Sequence, residues 1–184
     1  MDKKIILAIV GLFGSGKTEA VEYLMKTIGW PKVYFGDVTF DEMKRINLEI
    51  NEANERKTRE RLREEFGQLI YADRTIEKIK NLPESPNVLV ESLYSWEEYL
   101  EFKKEFGDSF KVLAIYASPE ERIKRIETRP HRPLNREDAI SRDYSQIENL
   151  HQAGPIARAD FTILNEGTKE EFYSKLDEII KKLS

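Results

Sequence analysis

The sequence predicts an α/β domain: a parallel sheet of five strands with helices on both faces. Three observations carry that prediction. Short runs rich in β-branched and aromatic residues stand at 5–10, 33–35, 88–90, 111–116 and 161–164. The segments between them space their apolar residues as helices do. A glycine-rich stretch, GLFGSGKT at 11–18, joins the first run to the first helical segment. Such alternation requires crossover helices, which bury a parallel sheet from both sides. No repeat, low-complexity tract or linker divides the 184 residues, so one domain is expected over 1–184.

Taken in order, the run IILAIV ends where the glycines begin, and AVEYLMKTI behind it reads as a helix. Between about Arg56 and Lys80, Leu62, Phe66, Leu69, Ile76 and Ile79 recur near a helical face, and Gly67 is placed to bend or interrupt it. Three helix starts are marked by a hydroxyl with a glutamate three residues on: Ser95 with Glu98, Ser118 with Glu121, and Thr168 with Glu171. In that pattern each side chain satisfies a backbone N–H that the helix leaves unpaired. Pro119 falls at a first helical position, where its missing N–H costs nothing.

Composition narrows the chemistry. There is no cysteine, so disulfides, thiolate metal sites and cysteine nucleophiles are excluded, in keeping with a reducing, cytoplasmic setting. Thirty Lys and Arg against 34 Asp and Glu give a net charge of −4, with no general attraction to nucleic acid or anionic membrane. The longest apolar stretch is far short of the roughly 20 residues of a bilayer span. An anion site must therefore be a local concentration of basic groups.

The glycine-rich stretch is such a site. Gly11, four residues, Gly16, Lys17 and Thr18 meet every position of the phosphate-binding P-loop pattern. In a strand–loop–helix setting the backbone N–H groups of residues 12–18 converge on an anion, aided by the helix dipole. Gly11, Gly14 and Gly16 permit the close approach, and Phe13, Ser15 and Glu19 complete the set of nucleotide-binding candidates. Lys17 would reach the β- and γ-phosphates and the Thr18 hydroxyl would ligate Mg²⁺. A dinucleotide fingerprint fails, because its third glycine would have to be Glu19. The ligand implied is a nucleoside triphosphate with Mg²⁺, first of all ATP.

Ligands of open α/β sheets bind beyond the carboxyl ends of the strands, which directs attention to Asp37 after the second run and Glu91 at the end of the third. Asp37 could take a proton from an acceptor or orient it, or cap a helix; Glu91 could serve the Mg²⁺ shell as a Walker B-like acid, or stand as a surface carboxylate.

Together GLFGSGKT, FGDV…MKR, LREEFG, YADR, IYASPEERIKRIETR, SRDYSQIE and ADFTILNEG resemble, in order and spacing from about residue 4 to 182, the small P-loop kinase-like proteins of archaea and bacteria related to adenylate kinase and dephospho-coenzyme A kinase. The resemblance implies the three-layer P-loop NTPase fold, a helical acceptor-binding segment at about 37–80 and a short lid at about 129–136. In the lid region Arg125, Arg129, Arg132 and Arg136 cluster, and Arg129 and Arg132 are the candidates to stabilise the transferring phosphoryl group. The turn Asn165-Glu166-Gly167 lies, in such relatives, against the adenine ring.

This sequence departs from that pattern where an acceptor phosphate is gripped. Two expected arginines are replaced by Phe40 and Tyr94, while Arg45, Arg63 and Arg74 stand at matching positions and could compensate. The sequence reading is thus an ATP- and Mg²⁺-dependent kinase acting on a small nucleotide-like acceptor other than plain AMP, working as monomer or homodimer. Dephospho-coenzyme A is the rival acceptor, and a P-loop switch or NTPase without acceptor is the rival class.

Overall fold

A computed structural model of the chain describes residues 4–82, 87–130 and 133–183. Five strands, β1 (Ile5–Val10), β2 (Lys32–Tyr34), β3 (Asn87–Glu91), β4 (Phe110–Tyr116) and β5 (Phe161–Leu164), form one sheet in the order β2-β3-β1-β4-β5, with every pairing parallel. The helices are α1 (Lys17–Ile28), α2 (Asp37–Arg45), α3 (Glu52–Phe66), α4 (Ile70–Lys80), α5 (Trp96–Phe106), α6 (Pro119–Thr128), α7 (Arg136–Glu148), α8 (Ala153–Ala157) and α9 (Lys169–Leu183). No helix among the described residues is long and apolar enough to cross a membrane.

The central strand β1 is apolar throughout because both its faces are covered. Ile6, Ala8 and Val10 face one core with Leu62, Ile76, Phe102 and Phe110; Leu7 and Ile9 face the other with Val21, Leu24, Phe172 and Leu176. Alternation along the strand thus assigns α2–α5 to one layer and α1 with α9 to the other.

The sequence landmarks hold with local shifts. The second strand runs one residue earlier than expected, and Phe35 leaves it to pack on Phe102 at 5.6 Å between ring centroids. Gly67, at φ 91°, ends α3 and separates it from α4. Complete capping boxes form at Ser95–Glu98 and Thr168–Glu171. The one expected at Ser118 does not form: the Ser118 N–H donates to Glu166 Oε1 at 2.6 Å, so a carboxylate 48 residues away replaces Glu121.

Register sets the site. Ile9, Glu91 and Tyr34 stand in one row across β1, β3 and β2. The chain leaves Val10 just beyond that row, so the glycine-rich loop, Glu91 and Tyr34 share one end of the sheet.

Candidate functional site

The phosphate loop is a wire of backbone held by side chains that come from far along the chain. Gly11, Gly14 and Gly16 adopt φ of 149°, 80° and 102°, and a Cβ at Gly11 would stand 2.3 Å from the Ile115 carbonyl oxygen. Gln152 donates to the Gly11 carbonyl at 2.9 Å and Asn165 to that of Ser15 at 2.8 Å. Gln146 accepts from the Phe13 N–H at 3.0 Å, while Arg122 donates to the Phe13 carbonyl at 3.2 Å. Arg122 is itself buried and forked onto both carboxylate oxygens of Asp143. Such a loop keeps its shape without a ligand, which lowers the ordering cost of binding one.

A cavity of about 430 Å³ opens over the loop, lined by Gly14, Gly16, Lys17 and Thr18. Helix α1 begins at Lys17, so its first-turn N–H groups have no partner within the helix and meet this space. The amides of Phe13 and Ser15 do not join them, being taken by Gln146 and the Leu12 carbonyl. Lys17 Nζ donates to the carbonyls of Gly11 at 2.6 Å and Leu12 at 3.0 Å. Burial pulls its pKa from 10.5 to about 8, against the pull of Glu91 in the opposite direction; Arg122 and Arg142 add to the lowering. A polyanion replacing those carbonyls would restore the charged form.

Thr18 donates to Glu91 Oε1 at 3.2 Å, and Lys32 holds Glu91 Oε2 at 2.9 Å. A hydroxyl and a carboxylate oxygen that close are hard donors of the type Mg²⁺ takes, and Mg²⁺ needs few protein ligands because it keeps its waters and substrate phosphates. Among the described residues no group of three or more histidine, aspartate or glutamate side chains comes together as a metal cage.

The cavity's other wall is cationic. Arg125, Arg129 and Arg142 line it, and Arg129 and Arg142 lie over the Phe13 ring at 4.6 and 3.9 Å from its centroid. Arg125 donates to the Asn165 carbonyl at 2.7 Å, while its Nη1 is buried without a hydrogen-bond partner. Glu19 also lines the cavity but is engaged by Tyr173 and Lys169, Tyr173 above all holding its carboxylate below the usual range.

A second cavity, about 410 Å³, lies between α2, α3, α5 and α7 and is lined by Phe40, Arg59, Arg63, Tyr71 and Glu98 among others. Tyr34, Tyr94, Arg142 and Gln146 line both cavities. Burial raises the pKa of Tyr34 to about 12, with Tyr94, Glu91, Asp37 and Glu55 adding to it, and burial also raises that of Tyr94. Both phenols therefore act here as neutral hydrogen-bonding groups.

Of the residues expected at an acceptor, Phe40, Arg63 and Tyr94 line this second cavity. Asp37 and Arg74 do not; they line a separate cavity of about 440 Å³ with Lys32 and Lys78. Gly36 is the cap of α2 and Asp37 its first residue, so the turn through Phe35 and Gly36 carries the carboxylate past the strand end. Arg45 is forked on Glu42 at 2.8 Å twice, with its side chain 68% exposed. Arg132 lies outside the described residues. The Asn165-Glu166-Gly167 turn holds the loop and the start of α6 through side chains, and its Asn165 carbonyl is taken by Arg125; Gly167 packs under the Glu171 cap.

Arg122, Arg142, Gln146 and Gln152 were not singled out in the sequence. Arg142 and Gln146 stand four apart on α7, a spacing that places them on one face and was the available signal.

A family model described as an AAA domain matches residues 7–148. A UPF0200 protein of Thermococcus gammatolerans is 32% identical over 183 residues, covering 97% of this chain and 95% of its own. UPF0200 protein MJ1399 of Methanocaldococcus jannaschii is 32% identical over 182 residues, with 97% and 90% covered. Among solved structures, TT1252 from Thermus thermophilus aligns at TM-score 0.66 and 21% identity over 99% of both chains. Shikimate kinase from Bacteroides thetaiotaomicron aligns at TM-score 0.64 and 12% identity, over 97% of this chain and 98% of that one. At such identities the likeness is one of fold, the α/β P-loop kinase fold expected from the sequence. The chain belongs to the UPF0200 proteins and to the AAA-domain family, and it has the P-loop kinase fold.

Proposed function

We propose that this protein is a Mg²⁺-dependent phosphotransferase that moves the γ-phosphate of ATP to a small nucleotide-like acceptor. The supporting observation is the shared wall: two cavities, one over the phosphate loop and one walled by aromatics and arginines, meet at Tyr34, Tyr94, Arg142 and Gln146. A nucleotide hydrolase or switch needs only the first.

In this reading the first-turn amides of α1 and Lys17 bind the β- and γ-phosphates, and Thr18 and Glu91 hold the metal. Mg²⁺ held there would supply positive charge to offset that of the phosphates. Arg142 reaches the boundary where the phosphoryl group changes hands, and Arg125, Arg129 and Arg132 add positive charge around it. The segment at about 129–136 excludes water as it closes. Arg59 and Arg63 supply the acceptor's counter-charge in place of the arginines that Phe40 and Tyr94 replace, while the aromatic rings pack on an unsaturated ring system. Asp37 and Arg74 are left outside this machinery.

The test is ADP release from MgATP with a panel of nucleoside monophosphates and coenzyme precursors, dephospho-coenzyme A included. Stimulation by one member, abolished in Lys17→Ala while its fold persists, is the expected result. Slow ATP hydrolysis that no acceptor accelerates would refute the transferase and favour a nucleotide switch.

A further inference from the structure

The cleft does not end at the acceptor cavity. A further cavity, about 340 Å³, lies beyond it, and Arg63, Tyr94, Glu98 and Leu150 line both. Each space alone is near the lower end of the ~300–1,000 Å³ typical of ligand sites, so their union suits a molecule about twice as long.

Three element ends build the far wall. Gly67 stops α3 and leaves Gln68 in the turn before α4. Ser95 caps α5, which places Glu97 in its first turn. Asn149 closes α7, and two residues on His151 takes the left-handed conformation at φ 50°, bringing Nδ1 to 3.1 Å from Glu97 Oε1. The amides of Gln68 and Asn149 both donate and accept hydrogen bonds, and Glu97 and Glu98 are acidic. The cavity's guanidinium is Arg63, at the boundary, with its cation 5.0 Å from the Tyr71 ring centroid. Beyond Arg63 a second anionic group would meet the exposed carboxylate of Glu97, while Glu98 is buried with Oε2 taken by the Tyr94 and Ser95 N–H groups; an uncharged polar or cationic group would be well received.

We propose that the acceptor is an extended nucleotide: a ring and phosphate in the acceptor cavity, and a neutral polar or cationic arm in the cavity bounded by Gln68, Glu97, Asn149 and His151. That the near end is phosphorylated rests on the phosphotransferase reading; that the arm is bound does not. The arm would also bear on the phosphate loop, since Gln152, next to His151 and fully buried, donates to the Gly11 carbonyl.

The experiment is calorimetric titration of the full chain, with Mg²⁺ and a non-hydrolysable ATP analogue, using AMP and N6-(6-aminohexyl)-AMP. The expected result is at least tenfold tighter binding of the armed nucleotide, reduced to less than threefold in Asn149→Trp, whose indole fills the far cavity. Equal affinities, tighter binding of AMP, no binding of either, or an advantage that survives Asn149→Trp would overturn the proposal. Turnover of the same compounds is scored separately: tight, arm-dependent binding without ADP release would refute the phosphotransferase and leave the extended-ligand site standing.

Discussion

Replacing Lys17 by Met should make the ligand-free protein more stable and the nucleotide-bound protein less so. The ammonium is held inside the loop, where burial takes its pKa from 10.5 to about 8. A displacement of that size corresponds to roughly 3 kcal/mol of unfavourable charge burial, and the half-buried position of the side chain brings a realistic figure to about 1–2 kcal/mol. The carbonyls it leaves are not orphaned, since Gly11 keeps Gln152 and Leu12 keeps the Ser15 N–H. The pH signature follows from linkage. Below pH 8 the lysine is protonated in both folded and unfolded chains, and the folded state bears the whole cost. Between pH 8 and 10.5 the folded state sheds the proton first, so wild-type stability rises with pH and the cost disappears. Urea unfolding at pH 7 should therefore show Lys17→Met ahead by about 1–2 kcal/mol, or several degrees in Tm for a domain of this length, with the lead shrinking by pH 10. Saturating MgATP should reverse the order, because at a hundredfold excess over Kd a ligand adds about 2.7 kcal/mol to the protein that binds it. A variant less stable than wild type at pH 7, by a margin that does not change up to pH 10, would refute the reasoning.

Other expectations concern the side chains that hold the loop. Asn165→Ala removes the donor to the Ser15 carbonyl and should cost about 1 kcal/mol, weakening ATP binding roughly fivefold in a calorimetric titration while the far-ultraviolet dichroism stays unchanged. Arg122→Ala leaves Asp143 without its fork in a largely buried place and should lower unfolding free energy by about 3 kcal/mol in a urea titration. Arg142→Ala should reduce kcat on the order of a hundredfold with little change in Tm, and Arg142→Lys should recover little because an ammonium lacks the guanidinium's planar fork.

What the sequence made legible depended on how local the cause was. The strands and the glycine-rich loop follow from periodicity and from glycine's freedom at positive φ, which act within a few residues. The capping boxes at Ser95 and Thr168 are equally local, and both form. Ser118 had the same pattern but lost its partner to Glu166, a competitor that no window of sequence contains. Asp37 was placed by a rule about strand ends, yet β2 is an edge strand that stops at Tyr34, and two further residues turn the carboxylate toward Arg74's side of α4. Gln152 could not be read at all, since it acts on loop backbone 141 residues away, and Gln146 offered only its four-residue spacing from Arg142, with no sign of the contact it makes 133 residues away. A charged, polar stretch such as SRDYSQIE looks like solvated helix surface until its contacts are known.

Those distant contacts concentrate on α7. Within five residues Arg142 lines both cavities, Asp143 forks the Arg122 that holds Phe13, and Gln146 takes the Phe13 N–H. One rigid helix thus walls both cavities and grips the tip of the phosphate loop. A ligand of the second cavity that presses α7 into a particular position would alter the loop, and a triphosphate that sets the loop would alter the wall of the second cavity. By thermodynamic reciprocity the two affinities change by the same factor. An independent pair of sites would show a factor of one. On this geometry a ligand of the second cavity should bind more tightly when MgATP analogue is present, and Gln146→Leu, which breaks one of the three links between α7 and Phe13, should bring that factor closer to one without emptying either site.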